Sequence, residues 1–261
     1  MCGGLERAPH ASIDRKQVRY DIARCNACRF VFVTNPGGEM FHAAQDPPAR
    51  VPERARHRQI KRVCDRLLVR GRGDDGTRTI VEVGAGWGGL AQVVSRDPRY
   101  RYIGFEPNVS RAEYSRAHGF DVRRTLFIGP ESAGEVDAVV FDNVLEHLYD
   151  PETLVGAAVE SLREGGVLVV IVPNLHDIRK YFPGGRRHSW QPHCHINYFS
   201  VDDLRRMFGR HGLKLRHFGL EAVGKSGDDI GLLPRVLADA AGLHLFGLNC
   251  YAVKRGRGTC G

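Results

Sequence analysis

Apolar residues recur along the chain in two alternating patterns. Short runs rich in valine, isoleucine and aromatic residues predict buried strands, and apolar residues at helical spacing between them predict helices. We predict strands near 79–83, 101–105, 120–123, 137–141, 166–172, 213–219 and 248–254, and helices near 53–69, 88–96, 109–118, 151–163, 201–211 and 230–241. Strands that alternate with helices form a mostly parallel sheet covered on both faces, so the pattern predicts a doubly wound α/β fold.

Residues 1–50 do not follow this alternation. They carry a Cys-x-x-Cys pair, Cys25 and Cys28, in a hairpin or knuckle that runs into a strand. Loops rich in proline and glycine follow, so we predict a small segment over residues 1–50 and a main domain over 51–261. Two thiols at this spacing can share one zinc ion, but a structural site needs four ligands. The candidate ligands are Cys2, Cys25 and Cys28, completed by His10 or water, and a segment that binds no metal is the equal alternative.

A glycine-rich turn follows the first strand of the main domain. The run Ile80-Val81-Glu82-Val83 leads into Gly84-Ala85-Gly86-Trp87-Gly88-Gly89, and apolar residues then open a helix. Glycine lets the backbone turn sharply and approach a ligand, and the helix behind it presents free N–H groups and the positive end of its dipole. Such a strand–turn–helix unit is typical of a nucleotide or nucleoside site at the edge of a parallel sheet.

Two kinds of nucleoside site fit this turn. Gly84, Gly86 and Gly89 have the spacing of a dinucleotide site, and Glu106 lies where a dehydrogenase would carry its ribose-binding acid. Glu82 favours a different ligand, because a carboxylate inside a strand needs a cationic or hydrogen-bonding partner. The ammonium group of an amino-acid moiety would supply that partner, directly or through water.

The chain resembles the class I S-adenosylmethionine-dependent methyltransferases over roughly residues 55–255. The run Glu82-Val-Gly-Ala-Gly-Trp-Gly resembles their first motif, Glu106 resembles the acid that holds both ribose hydroxyls, and Asn143 to Pro151 resembles the motif after their fourth strand. The resemblance implies a seven-stranded sheet whose last strand is antiparallel, with S-adenosylmethionine at the strand ends, and we favour it over the dehydrogenase. The implied cofactor-binding residues are Glu82, Gly84, Ala85, Gly86, Glu106, Asp142 and Asn143.

The N-terminal segment resembles part of a further arrangement. Some bacterial methyltransferases, including ones that act on sugars, carry an N-terminal zinc ribbon with two Cys-x-x-Cys pairs. The stretch from Cys25 to Val33 is similar to one half of such a ribbon. This chain lacks one of the four cysteines, so the resemblance leaves zinc binding open.

Two histidines are the candidate catalytic bases. Methyl transfer is an in-line displacement from a sulfonium, and a hydroxyl acceptor must also lose its proton to a base. His147 follows the fourth strand of the main domain, next to the reactive end of the implied cofactor; a structural turn is the alternative. His195 follows the fifth strand with Trp190, His193 and Tyr198, which would form an aromatic wall or dock the next helix. Such a wall suits a sugar or natural-product intermediate, so we expect O-methylation of a small polar acceptor.

The net charge of +8 raises a nucleic-acid alternative. Residues 1–78 hold 16 Lys and Arg against 9 Asp and Glu, whereas the other 183 residues hold 22 against 21. Much of the excess falls on a predicted helix, where a solvated basic face is the common explanation. A rim that attracts an anionic acceptor is the alternative. An RNA-binding protein or an RNA 2′-O-methyltransferase would also use this basic region.

One family of RNA methyltransferases offers a closer comparison. The enzymes that modify the 2′-hydroxyl at small-RNA 3′ ends bind a divalent metal through two glutamates and two histidines. Glu146, His147 and His195 resemble three of these ligands, but Asn143 stands in place of the fourth. Loss of one anionic ligand weakens a magnesium site, so nucleic acid is not the partner that we expect.

Seven scattered cysteines, an odd number, argue against a disulfide framework and for a reducing compartment. The chain has no run of about 20 apolar residues of the kind that crosses a membrane. Its first residues also lack the apolar core of a signal peptide. We therefore expect a cytoplasmic protein, and the sequence leaves its oligomeric state open.

Overall fold

The computed structural model describes residues 6–15, 17–37, 46–68, 76–129, 134–182, 191–219, 222 and 233–255. The strands in these ranges are β1 (Arg7–Arg15), β2 (Val18–Cys25), β3 (Val31–Val33), β4 (Arg78–Val83), β5 (Tyr100–Phe105), β6 (Val122–Arg123), β7 (Val136–Asp142), β8 (Leu162–Val172), β9 (Asn197–Tyr198), β10 (Arg216–His217) and β11 (Leu248–Val253). The helices are α1 (Ala55–Leu68), α2 (Gly89–Val94), α3 (Val109–Ala117), α4 (Pro151–Ser161), α5 (Val201–Arg210) and α6 (Leu233–Ala240), with 3₁₀ turns at Leu145–His147 and Ile178–Tyr181. Among these described helices, none combines the length and the apolar character needed to cross a membrane.

The large sheet confirms the predicted fold. Its seven strands follow the order β10-β11-β8-β7-β4-β5-β6. The five strands from β8 to β6 pair in parallel, whereas β11 is antiparallel to both β8 and β10. The predicted strands and helices of the main domain are present, with bounds that differ by at most four residues. The strand order reverses between β4 and β7, and the carboxyl ends of these two strands are where such a sheet binds its ligand.

Two helices near this edge of the sheet, α4 and α5, begin at residues whose side chains cap them. The Asp150 carboxylate accepts a hydrogen bond from the Thr153 N–H at 3.2 Å and begins α4, with Pro151 in the first position. Ser200 and Asp203 form a reciprocal capping box that begins α5. This capping box fixes where the insertion between β8 and α5 ends.

Strand β8 lies in the middle of the core. Its residues Val167 to Val172 are all buried, because helices cover both faces of the sheet and no position faces water. One face packs with Phe141 and Phe208, and the other with Ile60 and Leu90. This rigid centre positions the ends of β7 and β8.

The N-terminal segment forms a second, antiparallel sheet. Strands β1 and β2 make a long hairpin that the residue pattern did not predict, and β3 follows the Cys-x-x-Cys turn as predicted. Strand β3 pairs with β9 of the insertion, with Val31 opposite Tyr198. The apolar cluster at this contact consists of Tyr20, Ile22, Val31, Val33, Leu175, Ile196 and Tyr198. The segment thus packs on the insertion after β8; its status as a unit of its own stays a prediction.

Candidate active site

The glycine turn after β4 bends the chain sharply, as predicted. Gly84 and Gly86 have φ angles of 77° and 54°, in the left-handed region that favours glycine. The N–H groups of Gly84 and Ala85 both donate to the Phe105 carbonyl oxygen and fasten the turn to β5. A Cβ atom on Gly84 would lie 2.6 Å from a methyl group of Val144, whereas one on Gly86 would meet nothing within 4 Å. The backbone at Gly86 therefore borders open space.

Glu106 follows β5 with its carboxylate turned toward this glycine turn. Its two oxygens accept hydrogen bonds from the N–H groups of Gly86 at 2.8 Å and Asn108 at 2.9 Å. Because each carboxylate oxygen has two lone pairs, both keep capacity for ligand hydroxyls. Beyond β6, the large apolar side chains of Leu126 and Ile128 are exposed. An acid with this free capacity suits the ribose of a nucleoside.

Glu82 has a protein partner inside the sheet. The Tyr102 hydroxyl on β5 donates a hydrogen bond to the Glu82 carboxylate, which is buried. Burial raises the pKa of Glu82 well above its usual value; the Tyr102 bond offsets part of this shift, and nearby Asp142 and Glu106 increase it. A positive group next to Glu82 would favour its charged form. Tyr102 thus supplies the hydrogen-bonding partner that a carboxylate at this position needs.

Asp142, the last residue of β7, is held by the start of α1. Arg56 Nε donates to Asp142 Oδ2 at 2.6 Å, and His57 Nε2 lies 3.5 Å from the same oxygen. The Asn143 amide donates to Oδ1 at 2.8 Å. Burial would raise the pKa of Asp142, but the contacts with His57 and Arg56 outweigh burial, and the pKa is lowered. Asp142 is therefore ionised at neutral pH, and part of the basic face of α1 is paired rather than solvated.

The turn after β7 is fastened to the insertion after β8. The Asn197 amide donates to the carbonyl oxygens of Leu145 at 3.2 Å and Leu148 at 2.6 Å. The Ile196 N–H donates to the Glu146 carbonyl oxygen at 2.8 Å. The insertion itself pairs through β9 with the N-terminal sheet. Segments far apart in sequence thus determine the orientation of this turn.

The structure brings His147 and His195 together with Glu146. One potential ligand atom of each residue lies within 4.8 Å of the other two, and the imidazole centroids are 4.9 Å apart. His147 Nδ1–H donates to the Cys194 carbonyl oxygen, because a carbonyl can only accept. The neutral His147 ring therefore keeps its lone pair on Nε2. Within the described ranges, neither carboxylate oxygen of Glu146 has a hydrogen-bond partner.

Burial shifts all three side chains of this cluster toward their neutral forms. It raises the pKa of Glu146 to about 8, with a further contribution from Asp142. Burial, together with neighbouring His147 and His193, lowers the pKa of His195 to about 3. Burial also lowers the pKa of His147, although its hydrogen bond to a carbonyl oxygen opposes the shift. At neutral pH the cluster is a carboxylic acid beside two neutral imidazoles.

A cavity of about 410 Å³ opens at the carboxyl ends of β7 and β8. The polar side chains that line it are Arg54, Arg56, Gln59, Asn143, Asn174, Asp177, Arg179 and Asn249. Arg56 pairs with Asp142 and Arg179 pairs with Asp177, so two of the three arginines have carboxylate partners. The volume lies in the range of small-molecule sites. The cavity therefore offers a polar environment for a small molecule next to Asn143.

Residues 52–217 match the family described as a methyltransferase domain, which is more than half of the chain. The chain belongs to this methyltransferase family. This match decides between the two nucleoside sites: the protein is a methyltransferase that uses S-adenosylmethionine. Gly86, which borders open space, and Glu106, which keeps free lone pairs, fit this cofactor. No curated protein matches the sequence of the chain.

Solved structures share the fold of this methyltransferase at low sequence identity. A chain from the Haloferax volcanii complex of the Trm112 methyltransferase activator with a methyltransferase gives a TM-score of 0.51 at 16% identity, over 77% of this chain and 91% of that one. A geranyl diphosphate methyltransferase in complex with SAM gives 0.51 at 20% identity, over 77% and 85%. The [4+2]-cyclase SpnF gives 0.51 at 15% identity, over 83% and 87%. These similarities concern the fold, which by itself determines neither acceptor nor reaction.

Sequence reasoning missed three residues that hold the candidate site together. The residue pattern places Arg56 on a solvated helix face, Tyr102 in an apolar strand and Asn197 in a stretch that docks α5. Only Tyr102 had a usable signal: a buried carboxylate on β4 needs a donor, and a tyrosine on a neighbouring strand can provide one. Arg56 and Asn197 act over long sequence distances that no local pattern reveals.

The N-terminal cysteines lie at the turn between β2 and β3. Cys25 is buried and Cys28 is half-buried, and neither forms a disulfide. His10 is exposed on β1. Cys2 and Trp190 lie outside the described residues. Zinc at Cys2, Cys25 and Cys28 therefore stays a prediction.

Proposed function

We propose that this methyltransferase transfers the methyl group of S-adenosylmethionine to an oxygen atom of a small polar acceptor, such as a sugar or a natural-product intermediate. The observation that carries the proposal is the cavity beside Asn143. Amide and charged side chains line it, and they would form hydrogen bonds to a hydroxyl-rich molecule. Asn143, one of the residues proposed to hold the cofactor, lines this cavity.

The residues at the ends of β4, β5 and β7 would hold the cofactor. Glu106 accepts hydrogen bonds from both ribose hydroxyls in this proposal. Glu82 faces the ammonium group, directly or through water, and Tyr102 fixes the position of its carboxylate. The backbone of the glycine turn lies against the amino-acid part, and the end of β7 lies beside the sulfonium. The remaining residues of this set are Gly84, Ala85, Gly86, Asp142 and Asn143.

His147 is the proposed catalytic base. When bound, the cofactor supplies an electrophilic methyl carbon on its sulfonium. His147 Nε2 would take the proton of the acceptor hydroxyl, so that the acceptor oxygen could bond to this methyl carbon as its bond to sulfur breaks and S-adenosylhomocysteine leaves. The donation from Nδ1–H to the Cys194 carbonyl oxygen supports this role, because it leaves the lone pair on Nε2.

His195 has a different proposed role beside the base. Its pKa of about 3 makes it a weak base that stays neutral at ordinary pH. A neutral imidazole is suited to line the acceptor and to exchange hydrogen bonds with it. Glu146, protonated at neutral pH, would add a second uncharged donor to the same cluster.

One observation favours a second candidate function, an RNA 2′-O-methyltransferase. Glu146, His147 and His195 approach one another as three ligands of a metal ion would. Asn143, at the position of the fourth ligand, instead donates its amide to Asp142. The polar cavity and the engaged amide together favour the small acceptor.

Transfer of labelled methyl from S-adenosylmethionine into a native cell extract tests the proposal. The extract is divided into metabolites and glycans, RNA, and protein. His147→Ala is assayed in parallel, with His118→Ala, an exposed histidine at the end of α3, as the matched control. We expect label in the metabolite and glycan fraction with wild type and His118→Ala, and strong loss with His147→Ala. Label confined to ribonuclease-sensitive material or to protein would contradict the small acceptor.

A further inference from the structure

A second group of potential metal ligands lies away from the cofactor residues. His217 is on β10, Asp239 is in the last turn of α6, and His244 is in the connection from α6 to β11. One potential ligand atom of each residue lies within 4.8 Å of the other two. We propose that His217, Asp239 and His244 bind a divalent transition-metal ion, zinc in particular.

The three side chains are enclosed by the elements that carry them. The side chains of His244 and Asp239 are only 13% and 10% exposed. His217 pairs directly across from Cys250 on β11, and the Cys250 side chain is fully buried. A strand pair on one side and a helix end on the other hold the ligands, so little ordering is needed when an ion binds.

The distances are compatible with a tetrahedral site. Ligands about 2.0–2.2 Å from a zinc ion lie roughly 3.3–3.6 Å from one another. His244 Nδ1 already lies 3.2 Å from Asp239 Oδ1. The rings of His217 and His244 stack with centroids 3.9 Å apart and planes 20° apart. Because a metal ion lies in the plane of each imidazole that binds it, one ring must turn out of this stack to bring the third ligand atom into range. The Cys250 thiol, 3.5 Å from His217 Nδ1, adds a soft donor beside the site.

The ligand types select among the possible ions. Two imidazoles with one carboxylate suit zinc and related transition metals, whereas magnesium and calcium prefer sets made of oxygen ligands. A proton is the competing occupant, because a protonated His244 would pair with Asp239 without any metal. The two cases differ in zinc affinity, which can be measured directly.

A metal ion here would support one wall of the cavity. The Asn174 amide, which lines that cavity, donates to the carbonyl oxygens of His244 at 2.7 Å and Phe246 at 2.9 Å. The Ile178 N–H donates to the Leu245 carbonyl oxygen at 2.9 Å. An ion that ties His244 to α6 and β10 would therefore stiffen the connection on which Asn174 rests. Zinc should raise the melting temperature of the whole chain.

Zinc binding to the full chain tests this proposal. Chelator-treated protein is titrated with zinc against a chromophoric competitor, and bound metal is counted by mass spectrometry after dialysis. Asp239→Asn and His244→Ala each remove one ligand. Loss of an outer partner of a metal site already costs roughly 10- to 100-fold in affinity, so we expect each variant to bind zinc at least about 100-fold more weakly. Retained binding of S-adenosylhomocysteine identifies variants that are still folded.

Two control variants make the result specific to this site. Cys25→Ser with Cys28→Ser removes the N-terminal thiols, and His147→Ala removes one member of the cluster near the cofactor. The proposal requires that one bound zinc per chain survives both control changes and is lost in Asp239→Asn and His244→Ala. Equal zinc contents in wild type and the two ligand variants, including no zinc in any of them, would overturn it.

Discussion

The glycine turn at Gly84–Gly86 and the turn at Leu145–His147 lie at neighbouring strand ends, but different parts of the chain hold them. The first turn bonds to the adjacent strand β5, and Glu106, which faces it, follows the same strand. The second turn is held by Asn197 and Ile196 of the insertion, and the insertion pairs with the N-terminal sheet. We call the residues proposed to hold the cofactor the cofactor edge (Glu82, Gly84–Gly86, Glu106, Asp142 and Asn143), and the residues of the second turn and the insertion that are proposed to face the acceptor the acceptor wall (residues 145–148 and 191–199).

This difference has a consequence for substitutions. The cofactor edge depends mainly on the backbone of the glycine turn and on Glu106, which are both joined to the adjacent strand β5, although its Asp142 is paired with Arg56 of α1. The acceptor wall depends on contacts between segments that are remote in sequence. Changes at the cofactor edge should therefore weaken cofactor binding, whereas changes in the acceptor wall should slow methyl transfer and leave cofactor binding intact.

The largest expected effect is on the acceptor wall, in His147→Ala. Loss of the proposed base should lower the rate of methyl transfer by about 10²- to 10⁴-fold, measured as label incorporated from S-adenosylmethionine. Because burial lowers the pKa of His147, the wild-type rate should hold as pH falls to 6.5 and decline only below it. Unchanged rates in His147→Ala would assign this histidine to a structural turn.

The second effect is on the cofactor edge, in Glu106→Gln. Loss of the charge that is proposed to receive two ribose hydroxyls should cost about 3 kcal/mol, or roughly 100-fold in affinity. Calorimetric titration with S-adenosylhomocysteine measures it. Glu113→Gln, an exposed acid on α3, is the matched control and should bind as wild type does. Equal affinities for the two variants would show that Glu106 does not contribute to binding of the cofactor.

Two glycines, Gly86 in the cofactor edge and Gly89 at the start of α2, then separate ligand binding from folding. In Gly86→Ala the new methyl enters open space at a left-handed residue, so S-adenosylhomocysteine should bind about tenfold more weakly, with about 1 kcal/mol lost from folding. In Gly89→Ala the methyl would lie 2.2 Å from His57 Cε1 and 2.8 Å from the Pro52 carbonyl oxygen. That crowding should lower the free energy of unfolding by about 1–3 kcal/mol. Urea titrations measure the stability of both variants, and calorimetry measures their affinity for S-adenosylhomocysteine. A larger loss of stability in Gly86→Ala than in Gly89→Ala would contradict this expectation.

The smallest expected effect concerns Glu146 and the way in which folding stability depends on pH. Burial raises its pKa to about 8, against 4.5 for an exposed glutamate, so the folded chain holds a proton that the unfolded chain releases. This group stabilises the fold fully below pH 4.5, and its contribution is lost as pH rises toward 8. The advantage of wild type over Glu146→Gln should therefore shrink between about pH 5.5 and 7.5 in urea unfolding. Glu160→Gln, at an exposed position of α4, controls for the loss of a carboxylate, and an equal pH dependence in the two variants would contradict a buried neutral Glu146.

The sequence was most informative where structure depends on local chemistry. The strands of the large sheet could be predicted because buried strands need continuous apolar runs, and the start of α4 because Asp150-Pro151 caps a helix. The glycine turn could be predicted because left-handed backbone at Gly84 and Gly86 needs glycine.

The remaining features depend on contacts that a local pattern does not encode. Strand β1 has mostly exposed residues, so the pattern of apolar positions gives a weak signal for the hairpin that it forms with β2. The pairing of β3 with β9 joins residues that are more than 160 positions apart. The pairing of Arg56 with Asp142 is likewise visible only once α1 is placed against the sheet. The acceptor wall could therefore be predicted as a set of residue types but not as a geometry.

The most direct measurement is a side-by-side calorimetric titration of wild type, Glu106→Gln and His147→Ala with S-adenosylhomocysteine and with a nicotinamide dinucleotide. We expect wild type and His147→Ala to bind S-adenosylhomocysteine with the same affinity, Glu106→Gln to bind it roughly 100-fold more weakly, and none of the three to bind the dinucleotide. Equal weakening in His147→Ala and Glu106→Gln would contradict the division into a cofactor edge and an acceptor wall. Binding of the dinucleotide in place of S-adenosylhomocysteine would contradict the assignment of the cofactor itself.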